Sequence, residues 1–140
     1  MLDKPFDSQS VEGTTQFRPD FNKLLANNQN VIPVAVQHAD THEVILIAYT
    51  NQQAFDETIK TGKAIFWSTS RGKLWFKGEE SGNTFSLKSI YVNCEQNSLV
   101  YKVVPDKGNI CHVTAAGVAK NCFYREFDRE RKKLVFTDDL

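Results

Sequence analysis

Three cysteines and one histidine are the residues of this sequence best suited to metal chemistry. Cys111 and Cys122 lie eleven positions apart, and His112 directly follows the first of them. Cys94 lies upstream. Zinc prefers thiolate and imidazole ligands, and a catalytic zinc takes three protein ligands and leaves the fourth position to water. The spacing is a weak signal, because there is no Cys-x-x-Cys pair and free cysteines are often simply buried. The residues by themselves leave a zinc site and three buried thiols as open alternatives.

A second candidate is the segment 66–83, FWSTSRGKLWFKGEESGN, which mixes tryptophans, basic residues and turn sequences. Such turns present backbone N–H groups to an anion, and Arg or Lys adds charge-assisted hydrogen bonds to phosphate. A tryptophan there could stack on a flat heterocycle. The alternative is two amphipathic strands with tryptophans in the core, and alternation explains most of the pattern. The substrate-binding candidates are Trp67, Ser70, Arg71, Trp75, Lys77, Ser81 and Asn83.

Composition indicates an ordinary globular protein and narrows the choice of partners. The chain has 140 residues, 41% of them hydrophobic, with 17 basic and 17 acidic residues. A formal charge of zero gives no support to a nucleic-acid or membrane partner, since both favour a basic excess. The N-terminal sequence lacks the features of a secretory signal, so the expected location is cytoplasmic. Reducing conditions there and an odd number of cysteines argue against a disulfide framework.

Two short helices are predicted. Asp20 can cap a helix over residues 21–28, and Asn51 can cap a second helix over residues 52–61. Gly62 directly follows the second helix and is a typical stop.

In the remaining segments apolar and polar residues alternate as in β-strands, and turn sequences separate these segments. Strands are predicted at 31–38, 43–49, 64–68, 73–77, 84–94, 98–105, 111–116, 121–127 and 133–136. Because strands and helices do not alternate as βαβ units, the predicted fold class is α+β with a mostly antiparallel sheet and two short helices. We expect a flexible N-terminal arm over residues 1–16 and one domain over residues 17–140.

Four segments occur in an order that is specific in combination. They are VILIAYTNQQAF, AIFWSTSRGKLWFKGEESGN, VNCEQNSL and a Cys-His pair followed by NCFYR. Together they span most of the chain, and in this order the sequence resembles the phosphoribosyl-AMP cyclohydrolase family of histidine biosynthesis. The resemblance implies a homodimeric enzyme that hydrolyses the N1–C6 bond of the adenine ring of a purine nucleotide, phosphoribosyl-AMP.

The resemblance also implies a zinc site shared between two subunits. By position its ligands are Cys94, Cys111 and Cys122, and His112 is the general base. Zinc brings the pKa of a bound water towards ~7, which makes a nucleophile available at neutral pH. Because of this resemblance, zinc binding is the preferred interpretation of the three cysteines.

The implied magnesium site departs from the family pattern. The family binds Mg²⁺ through aspartates in an Asp-Cys-Asp-x-Asp pattern, and the matching positions here are Asn93, Glu95 and Asn97. Magnesium favours hard, charged oxygen ligands, so two amides in place of carboxylates should weaken this site.

Two further departures also fall near the predicted site. Ten residues separate Cys111 from Cys122, several more than the family usually has, and Glu80 stands where a threonine is common. These changes leave two alternatives to the standard enzyme. One is a paralogue that hydrolyses a different ring or amidine, and the other is a non-catalytic nucleotide- or zinc-binding protein on the same scaffold.

Overall fold

A computed structural model describes residues 12–22, 24–78, 82–107, 112–114, 117–119 and 121–136, with only the backbone at 112–114 and 117–119. In chain order the elements are β1 (Leu25–Ala26), β2 (Gln29–Asn30), β3 (Ile32–His38), β4 (Val44–Thr50), α1 (Gln52–Thr61), β5 (Ile65–Ser68), β6 (Lys73–Phe76), β7 (Phe85–Val92), β8 (Leu99–Pro105), β9 (His112–Thr114), β10 (Gly117–Ala119), β11 (Arg125–Asp128) and β12 (Lys133–Phe136).

Four strands form one mixed sheet in the order β4-β3-β8-β7, and the other strands form two-stranded hairpins. Strand β3 pairs antiparallel with β4, and β7 pairs antiparallel with β8. The two halves join where β3 runs parallel to β8, with Val34 beside Leu99. The predicted α+β class with a mostly antiparallel sheet is confirmed, and this central parallel pair is an addition to it.

The core lies on one face of this sheet. Alternate residues of the two central strands are buried there, among them Val34, Val36, Tyr101 and Val103. Phe66, on the β5–β6 hairpin, packs against the same cluster. Each large apolar side chain removed from water in this way contributes about 1.5–3 kcal/mol.

Helix α1 spans the predicted residues, because both of its end signals are satisfied. The side-chain oxygen of Asn51 accepts the N–H of Ala54 at 2.9 Å, as an N-cap does. At the other end Gly62 adopts a left-handed φ of 73° and its N–H donates to the carbonyl of Thr58. The buried hydroxyl of Thr58 accepts the N–H of Ile65 at 3.0 Å, which fixes the helix to β5.

The helix predicted over residues 21–28 is wrong. The chain turns at Phe21 and Asn22 and then forms the short β1–β2 hairpin, so the described residues contain a single helix. Asn27 and Asn28 both have left-handed φ angles, 53° and 60°, which suit a two-residue hairpin turn and end a helix. Asn30 also donates its side-chain N–H to the carbonyl of Asn22, an oxygen that a helix would use internally.

The strand predictions are confirmed in location, with ends that differ by a few residues. Of the strand predicted at 111–116, residues 112–114 form β9, and residues 111, 115 and 116 lie outside the described residues. Strand β10 was not predicted; it pairs antiparallel with β9, with His112 opposite Ala119. No helix of the described part of the chain is long and apolar enough to cross a membrane.

Candidate functional site

The turn between β7 and β8 leaves Cys94 exposed and is closed by the side chain of Asn93. The side-chain oxygen of Asn93 accepts the backbone N–H groups of Asn97 and Ser98, both at 2.9 Å. Its side-chain nitrogen donates to the side-chain oxygen of Asn97 at 2.6 Å. The amide nitrogen of Asn97 in turn donates to the carboxylate of Glu95 at 3.2 Å. The three residues predicted for magnesium are therefore bonded to one another around Cys94.

Gln96 ties this turn to the N-terminal part of the chain. It is only 3% exposed and adopts a left-handed φ of 55°. Its side-chain oxygen accepts the N–H of Arg18, and its side-chain nitrogen donates to the carbonyl of Gln16 at 3.0 Å. Its own carbonyl accepts the N–H of Asp20 at 3.2 Å. The position of Cys94 thus depends on a segment about eighty residues earlier, and no sequence motif indicates this contact.

Cys122 is held at the outer edge of the sheet. Its N–H donates to the carbonyl of Ile45 on β4 at 2.7 Å. Although much of the residue is exposed, burial raises the pKa of its thiol, and the positive charge of Lys77 opposes that effect. The Lys77 ammonium also lies over the ring of Phe85, 4.9 Å from its centre. The charge of a predicted substrate-binding residue therefore acts on the thiol of a predicted zinc ligand.

An open cavity of about 350 Å³ lies beside Cys122. It is lined by Glu43, Val44, Asn121 and Phe123. The side chain of Asn121 spans it, donating to the Glu43 carboxylate at 3.2 Å and accepting the N–H of Phe123 at 2.8 Å. This shallow surface combines two polar and two apolar residues and can contact part of a small ligand.

The described residues of the long segment between the second and third cysteines include the antiparallel strand pair β9–β10. His112 lies opposite Ala119 in this pair. Cys111 lies outside the described residues, yet it is covalently joined to His112, and Cys122 follows Ala119 by three residues. Most of the described residues between the two cysteines therefore belong to the strand pair β9–β10.

Cys94 and Cys122 lie at opposite ends of the sheet. Cys94 precedes Leu99, which pairs with Val34 at the start of β3, whereas Cys122 bonds to Ile45 near the start of the antiparallel β4. Strand spacing and rise put the two thiols roughly 15 Å apart. Zinc–sulfur bonds are about 2.3 Å, so one ion cannot contact both thiols of one chain. Among the described side chains, which do not include those of Cys111 and His112, no three His, Cys, Asp or Glu residues could hold a metal together.

Three other substrate-binding candidates lie on the β5–β6 hairpin. The indole N–H of Trp67 donates to the side-chain oxygen of Gln29 at 2.6 Å, which fixes the ring. Ser70 and Arg71 form the exposed tip, and the N–H of Arg71 donates to the hydroxyl of Ser68 at 3.3 Å. Arg71 is thus exposed at the tip of a hairpin whose strands are anchored to the core.

The remaining candidates of this segment are separated from that tip. Trp75 pairs with Phe66 on the opposite face from Trp67 and packs against the core, with ring centres 5.5 Å apart. Asn83 is fully buried, and its side-chain oxygen accepts the N–H of Lys107 at 3.0 Å. Ser81 lies outside the described residues. The alternation that suggested core tryptophans therefore describes Trp75 well.

Comparison with known proteins agrees with the motifs. Residues 46–124 match the family model of phosphoribosyl-AMP cyclohydrolase. The chain belongs to the phosphoribosyl-AMP cyclohydrolase family. It is 49% identical over 94 residues to the phosphoribosyl-AMP cyclohydrolase of Cenarchaeum symbiosum, an alignment that covers 67% of this chain and 82% of that protein.

Other relatives extend the match along the chain. The phosphoribosyl-AMP cyclohydrolase of Erythrobacter litoralis is 41% identical over 121 residues, which is 86% of this chain and 89% of that protein. A bifunctional histidine biosynthesis protein of Lactococcus lactis is 44% identical over 109 residues, 78% of this chain and 47% of the longer relative. This cyclohydrolase family member therefore corresponds to one part of the bifunctional relative.

The donor set of this cyclohydrolase family member fits zinc and does not fit magnesium. Cys94 and Cys122 are free and exposed, and thiolates are ligands that zinc prefers. In the turn around Cys94, by contrast, the side-chain oxygens of Asn93 and Asn97 already accept hydrogen bonds within the turn, and only Glu95 is charged. A small, strongly hydrated cation needs charged oxygens that are free to replace its water, and this turn offers one such group.

Proposed function

We propose that this protein hydrolyses the N1–C6 bond of the adenine ring of phosphoribosyl-AMP and opens the ring to an amide. The observation that carries the proposal is the exposed Cys122, which joins two residues that line an open cavity and whose thiol lies within the electrostatic reach of the Lys77 ammonium. A cation there suits a phosphorylated substrate, and the thiol suits a metal. Family membership, with relatives named for this reaction, supports the choice of substrate.

Each candidate residue has a role that follows from its chemistry. Cys94, Cys111 and Cys122 would hold zinc, which when bound supplies an activated water at neutral pH. His112 is adjacent in sequence to a ligand and can accept the proton that the attacking water loses. Lys77 and the exposed Arg71 neutralise phosphate, and the fixed ring of Trp67 offers a face for stacking.

We further propose that the zinc site is completed by two chains. In one chain Cys94 and Cys122 are too far apart to share an ion, while each is exposed. A twofold dimer that brings Cys94 of one chain to Cys122 of the other creates two identical sites at once. About one zinc per subunit is then expected.

A mixing experiment tests substrate, ligands and dimer together. Homodimers of Cys94→Ser and of Cys122→Ser should each lose zinc and ring-opening activity. The activity is measured from the change in ultraviolet absorbance when the ring of phosphoribosyl-AMP opens. After the two are unfolded and refolded together, half of the dimers are mixed, and each mixed dimer contains one intact site and one doubly substituted site. Activity should therefore recover to about a quarter of that of the wild-type protein.

Three results would contradict the proposal in different ways. Full zinc in both single variants would remove the cysteines from the ligand set. Loss of zinc in both, with no activity in the mixed sample, would place the ligands within one chain. A wild-type dimer that binds zinc yet leaves phosphoribosyl-AMP unchanged would refute the substrate and favour a paralogue or a binding protein.

A further inference from the structure

The turn that carries Cys94 is closed by an amide pair whose orientation is fixed by its surroundings. The side-chain oxygen of Asn93 must face the N–H groups of Asn97 and Ser98, because only an oxygen can accept them. The side-chain nitrogen of Asn93 therefore points at Asn97, whose side-chain oxygen accepts it at 2.6 Å. The pair needs one donor and one acceptor, and two amides supply them.

Two carboxylates in these positions could not make the same contact. With oxygens 2.6 Å apart and no proton between them, like charges repel strongly, and a cation is the ordinary means of holding such a pair together. An amide in either position removes the repulsion. The turn is also fixed from its other side, because the buried Gln96 binds the backbone of Gln16 and Arg18.

We propose that the direct hydrogen bond between Asn93 and Asn97 closes the turn that carries Cys94 in place of a divalent cation, which makes this turn independent of magnesium. Asn93 and Asn97 are thus positioning residues for Cys94. The importance of that position for catalysis rests on the proposed function, whereas the independence from magnesium does not.

Single and double aspartate variants of the full chain test this proposal without an activity assay. In Asn97→Asp the donor on Asn93 still has an oxygen to bind. In Asn93→Asp the amide of Asn97 can rotate to donate to the new carboxylate. Asn97→Asp also sets a carboxylate against that of Glu95, which bonds to the Asn97 amide at 3.2 Å, but this repulsion is present in both the single and the double variant. Only the double variant has carboxylates facing each other across the contact between positions 93 and 97, so its loss of melting temperature should exceed the sum of the single losses by more than about 3 °C.

Magnesium should change the melting temperatures of the variants by different amounts. We expect 10 mM MgCl₂ to restore most of the excess loss in the double variant, relative to NaCl of matched ionic strength. The wild-type melting temperature should move by less than about 1 °C in the same comparison. Asn97→Ala is the matched control: it loses the hydrogen bond without adding a charge, so it should melt lower and gain no response to magnesium.

The outcomes are decisive in either direction. A wild-type protein stabilised by magnesium as much as the double variant would overturn the proposal, as would a double variant that is additive and indifferent to magnesium. If the double variant does not fold without magnesium but folds when purified in its presence, the proposal is supported. The melting data stand even if phosphoribosyl-AMP proves not to be the substrate, so the two proposals fail separately.

Discussion

Replacement of Gln96 by alanine tests whether the turn around Cys94 depends on the N-terminal segment. The substitution removes two part-buried hydrogen bonds, those of the Gln96 side chain with the N–H of Arg18 and the carbonyl of Gln16. Each such loss costs about 1–1.5 kcal/mol, so the free energy of unfolding should fall by about 2–3 kcal/mol. For a chain of this length that is a decrease of roughly 6–10 °C in melting temperature.

Glycine at the same position separates the side chain from the backbone. Gln96 has a left-handed φ of 55°, a conformation that glycine adopts without the penalty paid by alanine. Gln96→Gly should therefore be about 1 kcal/mol more stable than Gln96→Ala while it lacks the same hydrogen bonds.

Urea unfolding followed by tryptophan fluorescence, at one fixed protein concentration, measures these differences. An alanine variant within about 0.5 kcal/mol of the wild-type protein would show that the contacts to residues 16 and 18 do not stabilise the turn. A glycine variant less stable than the alanine variant would refute the argument from φ.

Two further predictions concern regions away from this turn. Gly78→Ala should destabilise the protein by at least about 3 kcal/mol, because φ is +86° and a new Cβ would lie 2.4 Å from the backbone of Asn83. Gly62→Ala is the control: φ is +73° but a new Cβ would have nothing within 4 Å, so the cost should be only about 1 kcal/mol. Equal melting temperatures for the two variants would contradict this prediction. Hydrogen bonds from Ser86 and Thr84, with a smaller effect from Lys63, lower the pKa of Asp106 to about 2. Because its pKa is lowered, the ionised Asp106 stabilises the folded state at pH values above the ordinary pKa of 3.8. This contribution disappears as the pH falls towards about 2. Asp106→Asn should therefore be less stable than the wild-type protein by about 1 kcal/mol at pH 7, a value reduced for solvent screening. Near pH 2 the two proteins should be equally stable. Urea midpoints that differ equally at both pH values would disprove the role of the charge.

The sequence was sufficient where structure is decided locally. Helix α1 was predicted residue for residue because Asn51 and Gly62 are end signals that act within one turn of the chain. The same reasoning failed at residues 21–28, where Asp20 resembles an N-cap. Two consecutive asparagines in left-handed conformation, and the hydrogen bond from Asn30 to Asn22, favour a hairpin there instead.

The candidate site was predictable by residue type but not by arrangement. Motifs identified Cys94, Cys122 and Lys77, yet only the structure shows that the charge of Lys77 acts on Cys122 and that Cys94 lies at the far end of the sheet. Gln29 and Gln96 had no signal in the sequence, because a buried glutamine is recognised by the backbone groups it meets, and those groups lie far away along the chain.

The parallel pair at the centre of the sheet has a consequence for synthesis of the chain. Strand β3 can pair with β4 soon after β4 is synthesised. Its other edge stays unpaired until β8 is synthesised, since Val34 pairs with Leu99, 65 positions later. At roughly 5–20 residues per second, a ribosome needs several seconds to supply that partner. During that interval a growing chain carries an unpaired, apolar strand edge, which is a template for association with other chains. Slow translation between Thr50 and Leu99 should therefore reduce the yield of soluble protein more than an equal pause after Pro105.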